Sequence, residues 1–178
     1  MRSVLLLSLG LFLAACASHD DSAVVRGRGL AEARLPVAEQ AEIYSESLQA
    51  SFDVGPGLSL LLDPRMLPRE AGYGAGPALS GAVVRAAIAT GTFQGTCHPT
   101  TPARETVTPR CTAPIPGYVV RVSPIFHAAG DTLQVYAASA RYDTKASGSH
   151  QAFVLEEAYQ LVRRGGHWEV ARKARLTS

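Results

Sequence analysis

The sequence contains no asparagine, and its only lysines are Lys145 and Lys173 beside fifteen arginines. Both scarcities are read as coding-sequence composition rather than as marks of a task. An excess of one charge is missing too. The 17 basic and 15 acidic side chains leave a formal charge of +2, which gives no electrostatic footprint for nucleic acid. No apolar run reaches the roughly 20 residues that a membrane-spanning helix needs. The longest, Val4 to Leu13, is broken by Ser8 and Gly10. Catalytic signatures are absent as well. There is no Gly-x-Ser-x-Gly, no Ser-x-x-Lys and no His-x-x-x-His or Glu-x-x-His ligand pair. No catalytic residue, metal site or cofactor is therefore expected. What is present is ordinary globular material: 178 residues, 47% of them hydrophobic and 18% charged. That suffices for one cored domain and not for two.

The N-terminus carries the strongest signal. Met1-Arg2-Ser3 gives a short positive start, and the apolar run that follows suits the core of a secretory signal. It ends in Leu13-Ala14-Ala15-Cys16, which resembles the lipobox of bacterial lipoproteins at all four positions. The resemblance implies cleavage after residue 15, diacylation of the Cys16 thiol and acylation of the new amino terminus. Several buried acyl chains, at about 0.8 kcal/mol per methylene, make such an anchor effectively permanent. The next residue is Ala17 rather than aspartate, which within that family points to the outer membrane. The expected assignments are residues 1–15 as signal peptide and 16–35 as a flexible tether reaching on the order of 25 Å. Residues 36–178 form the single domain. His19, Asp20 and Asp21 belong to the solvated tether.

Setting aside Cys16, two cysteines remain, Cys97 and Cys111. In an oxidising compartment an even remainder argues for one structural disulfide. A redox pair or metal site would want a Cys-x-x-Cys spacing or further Cys/His partners, and the sequence offers neither.

Periodicity then predicts the elements. Pro36 to Phe52 reads as a helix with Val37, Ala41, Tyr44 and Leu48 on its apolar stripe, stopped by Gly55-Pro56-Gly57. Leu58 to Leu62 reads as a short buried strand. Gly72-Tyr73-Gly74-Ala75-Gly76-Pro77 lacks the spacing of a dinucleotide loop and reads as an irregular connection. Ser80 caps a second short helix that ends at Gly91. The period then changes to two, giving strands at Tyr118–His127, Leu133–Tyr142, Gln151–Arg164 and His167–Leu176. Gly165-Gly166 is a strong hairpin signal. The expected class is α+β: N-terminal helices packed on a curved, mainly antiparallel sheet of four to five strands.

The terminal hairpin, Tyr159 to Arg175, is similar to that of the ketosteroid-isomerase-like, or nuclear-transport-factor-two-like, superfamily. The resemblance implies a concave sheet face lining a pocket, but transfers no acid–base residue. Closing the hairpin on Gly165-Gly166 pairs positions whose numbers sum to 331. That register sets Glu157 and Arg172 diagonally on the apolar face beside Tyr159 and Trp168, making these four the candidate pocket residues. A charge on a packed face must be paired or wet, so a structural ion pair or a solvated sheet end is the simpler reading. The functional expectation is an envelope lipoprotein held at the outer membrane by its lipid. Its domain would bind an envelope protein or a small ligand. The alternative is a small pocket enzyme of the isomerase or dehydratase kind.

Overall fold

A computed structural model describes residues 25–52, 59–70, 76–97, 117–142 and 155–176. Helix α1 spans Val37–Gln49. Pro36, its N-cap, has φ −54° already suited to helix entry, and its carbonyl accepts from the Gln40 N–H at 3.0 Å. Ala41, Tyr44 and Leu48 are buried as their spacing predicts, whereas Val37 is exposed. Helix α2 is Gly81–Ala89, and the Ser80 hydroxyl accepts from the Val83 N–H at 3.2 Å. This is the expected side-chain cap, satisfying one of the orphan donors of the first turn.

The strands are β1 (Ser59–Leu62), β2 (Gly95–Thr96), β3 (Gly117–Val122), β4 (Phe126–His127), β5 (Leu133–Tyr142), β6 (Leu155–Arg164) and β7 (His167–Leu176). Among the described residues they form one seven-stranded sheet in the order β2-β1-β3-β5-β6-β7, with β4 paired to β5. The α+β class is as expected, but the sheet is larger than four or five strands and mixed. β1 runs parallel to both β2 and β3, whereas the remaining pairs are antiparallel. Gly117 makes the parallel pair possible: a Cβ there would lie 1.9 Å from the Ser59 carbonyl oxygen.

The expected strand Tyr118–His127 is two strands. Pro124 has no N–H to give a ladder, so β3 ends at Val122 and the Ser123 hydroxyl takes over, accepting from the Tyr136 N–H at 2.9 Å. Beyond that break the chain pairs with its own N-terminal segment. His127 donates its N–H to the Ala31 carbonyl, and Ala33 donates to that of Ile125, both at 2.8 Å. Residues 26–33, within the expected tether, therefore pair with the domain instead of standing clear of it.

Both sheet faces are covered. The helix-side face carries Leu60, Leu62, Val120, Val135, Tyr159 and Leu161 against Ile43, Tyr44 and Leu48 of α1. The opposite face carries Leu61, Val119, Tyr136, Ala138 and Ala140, covered by Leu67 and Leu30.

Candidate functional site

The last hairpin turns on Gly165 and Gly166, both with positive φ (57° and 90°), as a two-residue turn of this twist demands. From there the pairing follows the expected register, Arg164↔His167 through Leu161↔Val170. It then breaks. Gln160 pairs with Arg172 and Tyr159 with Lys173, leaving Ala171 as the extra residue of a β-bulge. Because strand side chains alternate with period two, one inserted residue exchanges the faces of everything after it. Arg172 is moved to the far face and exposed, and Lys173 takes its place beside Glu157 and Tyr159. The expected Glu157/Arg172 pair is thus corrected to Glu157/Lys173.

Glu157 is 7% exposed. Its Oε2 accepts from the Ser51 hydroxyl at 2.5 Å and from the Tyr159 phenol at 2.7 Å. The two hydroxyl oxygens are themselves 2.6 Å apart. Lys173 Nζ lies 3.9 Å from Glu157 Oε1 and donates to the Ala50 carbonyl at 3.1 Å. A cation at that carbonyl favours the negative end of the α1 dipole. Burial pushes the Tyr159 phenol up well above its ordinary range. The Ser51 hydrogen bond opposes that shift, while the hydrogen bond to Glu157 and its charge reinforce it. Tyr159 is therefore a fixed neutral donor. The cluster joins the end of α1 to β6 and β7, and its carboxylate is occupied by hydroxyls of the same chain.

Trp168 likewise serves docking. Its indole N–H donates to Glu39 at 3.4 Å and its backbone N–H to Glu42 at 3.1 Å. Arg163 lies over the ring at 5.7 Å and 3.7 Å from Glu39. The structure brings Glu157 and Tyr159 together, sets Trp168 farther along the hairpin against α1, and leaves Arg172 outside. Cys97 is buried just after β2, its N–H bonded to the Leu62 carbonyl at 2.9 Å. Cys16 and Cys111 lie outside the described residues.

The most deeply buried charges lie outside the four candidate pocket residues. Asp63, fully buried at the end of β1, accepts from Arg121 Nε at 3.0 Å and Nη2 at 2.5 Å. Glu156 takes Arg26 Nε and Nη2, each at 2.6 Å, and Arg26 also donates to the Pro68 and Glu70 carbonyls at 2.9 Å. Arg121 and Glu156 both pair across Ala138, so the two ion pairs meet at one row of the sheet face opposite the helices. Burial lowers the Arg121 pKa, Asp63 opposes that shift, and Arg65 and Arg26 add to it. Arg121 was legible in principle as the one charge within Tyr118-Val-Val-Arg-Val. Arg26 was not, since nothing local ties it to Glu156.

Comparison with protein-family models, curated proteins and solved structures finds no match for this chain.

Proposed function

We propose that this chain is an envelope lipoprotein, anchored through acylated Cys16, whose domain is a binding or interaction module. The observation that carries the reading is Leu13-Ala14-Ala15-Cys16 closing a short apolar run behind Arg2. The fold is compatible with it: no helix among the described residues is long and apolar enough to cross a membrane, so attachment would fall to the lipid. Ala17 favours the outer membrane, and the partner would be an envelope protein or a small ligand. Cys97 and Cys111 would form one disulfide closing the Pro/Thr segment between them, stabilising the domain by about 3 kcal/mol.

A pocket enzyme of the isomerase or dehydratase kind needs titratable groups turned toward a substrate. The described geometry favours the interaction module instead. The space between α1 and the sheet is filled by Ile43, Tyr44, Leu48 and Tyr159, and Glu157 is taken by Ser51 and Tyr159. Metabolic labelling with a radioactive fatty acid tests the anchor. The wild-type chain takes up label and shortens, whereas Cys16→Ser takes up none and keeps its leader. Label persisting in Cys16→Ser would overturn the lipoprotein reading.

A further inference from the structure

The bulge at Ala171 leaves β7 with an asymmetric charge. In its first half Glu169 lies 3.8 Å from Arg164. Its second half, Ala171 to Leu176, holds Arg172, Lys173 and Arg175 and no acid. Arg172 and Arg175 are exposed and have no salt bridge or hydrogen bond among the described residues; they lie on opposite faces of β7, Arg172 across from Gln160 and Arg175 across from Glu157, and so flank its edge from both sides. Among the described residues β7 is also an outer strand of the sheet. Self-pairing of that edge in a second copy would set these cations against one another, the usual way an edge is kept from self-association. The charge is complementary to an anionic surface.

The place where the chain enters the domain is beside the same end of β7. Arg26 holds Glu156 at 2.6 Å, and Glu156 pairs with Leu176. Arg175 is the next residue, and Arg172 lies about 10 Å farther along the strand. Arg28, two residues from Arg26, is exposed on the entering segment. Glu70, whose carbonyl receives Arg26, is a nearby exposed acid. Between Cys16 and Val25, the first of the described residues, lie residues 17–24. Fully extended they span about 30 Å, less than the roughly 40 Å diameter of a domain this size. An anchor that short keeps the entry side of the domain toward the lipid.

We infer that the C-terminal half of β7, with Arg172 and Arg175 as its free cations, docks on the anionic phospholipid headgroups of the membrane that anchors the chain. The orientation argument rests on the lipoprotein reading, but its test does not use the anchor. The mature chain from residue 16, carrying Cys16→Ser so that no acyl chain contributes, is sedimented with vesicles. One set is pure phosphatidylcholine and the other an equal mixture with phosphatidylglycerol. Binding to the mixed vesicles alone, weakening as salt is raised, is expected. Each cation near such a surface is worth about fivefold in affinity, so Arg172→Gln/Arg175→Gln should bind roughly 25-fold more weakly. Arg34→Gln/Arg85→Gln removes the same charge from exposed positions elsewhere and should lose much less. Equal binding to the two vesicle types would overturn the proposal, as would an Arg172/Arg175 variant that binds like the parent. So would an equal loss in the control, which reduces the effect to net charge, or a dimer of the parent that the variant dissociates, which makes a second copy the occupant. Fatty-acid labelling can fail while vesicle binding succeeds, so the two readings fall separately.

Discussion

At the scale of single residues, burial separates arginines that look alike in the sequence. Arg26 and Arg121 are each 1% exposed and hold buried carboxylates, whereas Arg172 lies in water. Removing the cation of a buried pair strands its partner in low dielectric, and the expected cost is about 3–5 kcal/mol. Arg26→Ala and Arg121→Ala should each lose stability on that scale in urea unfolding. Arg172→Ala should stay within about 0–1 kcal/mol, as exposed charges do. If Arg172→Ala proved as costly as Arg26→Ala, the bulged register would be wrong. The unbulged register would have set Arg172 diagonally across from Glu157 on the apolar face. The chain instead meets the Glu157 charge with Lys173, one of its two lysines.

At the scale of elements, the bulge gives an unusual expectation for a deletion. Removing a residue from a regular strand sends all later side chains to the wrong face. Here Ala171 has no partner across the ladder, so its deletion should preserve every pair from Gln160↔Arg172 onward. The deleted chain should remain folded, with the Glu157–Lys173 contact intact, whereas deleting Ala137, which is paired on both sides in the regular ladder of β5, should unfold the chain or put β5 out of register. Amide hydrogen exchange along β6 and β7 distinguishes these outcomes, and loss of protection at Tyr159 in the Ala171 deletion would count against the bulge. The same strand shows what local pattern can and cannot reveal. Both helices, the Ser80 cap, the Gly165-Gly166 turn and the alternation of β5 to β7 are encoded within a few residues, and the sequence shows them. The bulge has no signature in Val170-Ala171-Arg172, because it depends on how β7 meets β6 and α1. The parallel placement of β1 between β2 and β3 was equally hidden, since Leu58–Leu62 reads as a buried strand whatever its neighbours. Of the candidate site, Glu157 and Tyr159 were legible from alternation. Ser51 was not, because it meets them only when α1 is laid on the sheet.

At the scale of the whole molecule, two tyrosines tie folding to alkaline pH. Tyr44 donates to the Ser123 carbonyl at 3.1 Å, and Tyr159 to Glu157. Burial is the main cause that raises both phenols above their ordinary value of 10.0, with the Glu32 charge adding at Tyr44. A raised folded-state pKa gives stability that is complete below the unfolded value and is lost as pH climbs past it. Above pH 10 the unfolded chain ionises these phenols while the folded chain keeps them neutral. Stability should then fall by about 1.4 kcal/mol per pH unit for each tyrosine. Urea midpoints taken from about pH 9 to about pH 11 should show Tyr159→Phe declining less steeply than the parent, and parallel declines would contradict the assignment. The Arg26–Glu156 pair reaches further, joining positions 130 residues apart. A ribosome adding about 5–20 residues per second makes Glu156 on the order of 10 s after Arg26. Throughout that interval the Arg26 side chain lacks the carboxylate that it holds in the finished fold. A truncation before β6 therefore keeps the bonds of the entering segment to Pro68, Glu70 and Ile125 but leaves the Arg26 guanidinium without the Glu156 carboxylate.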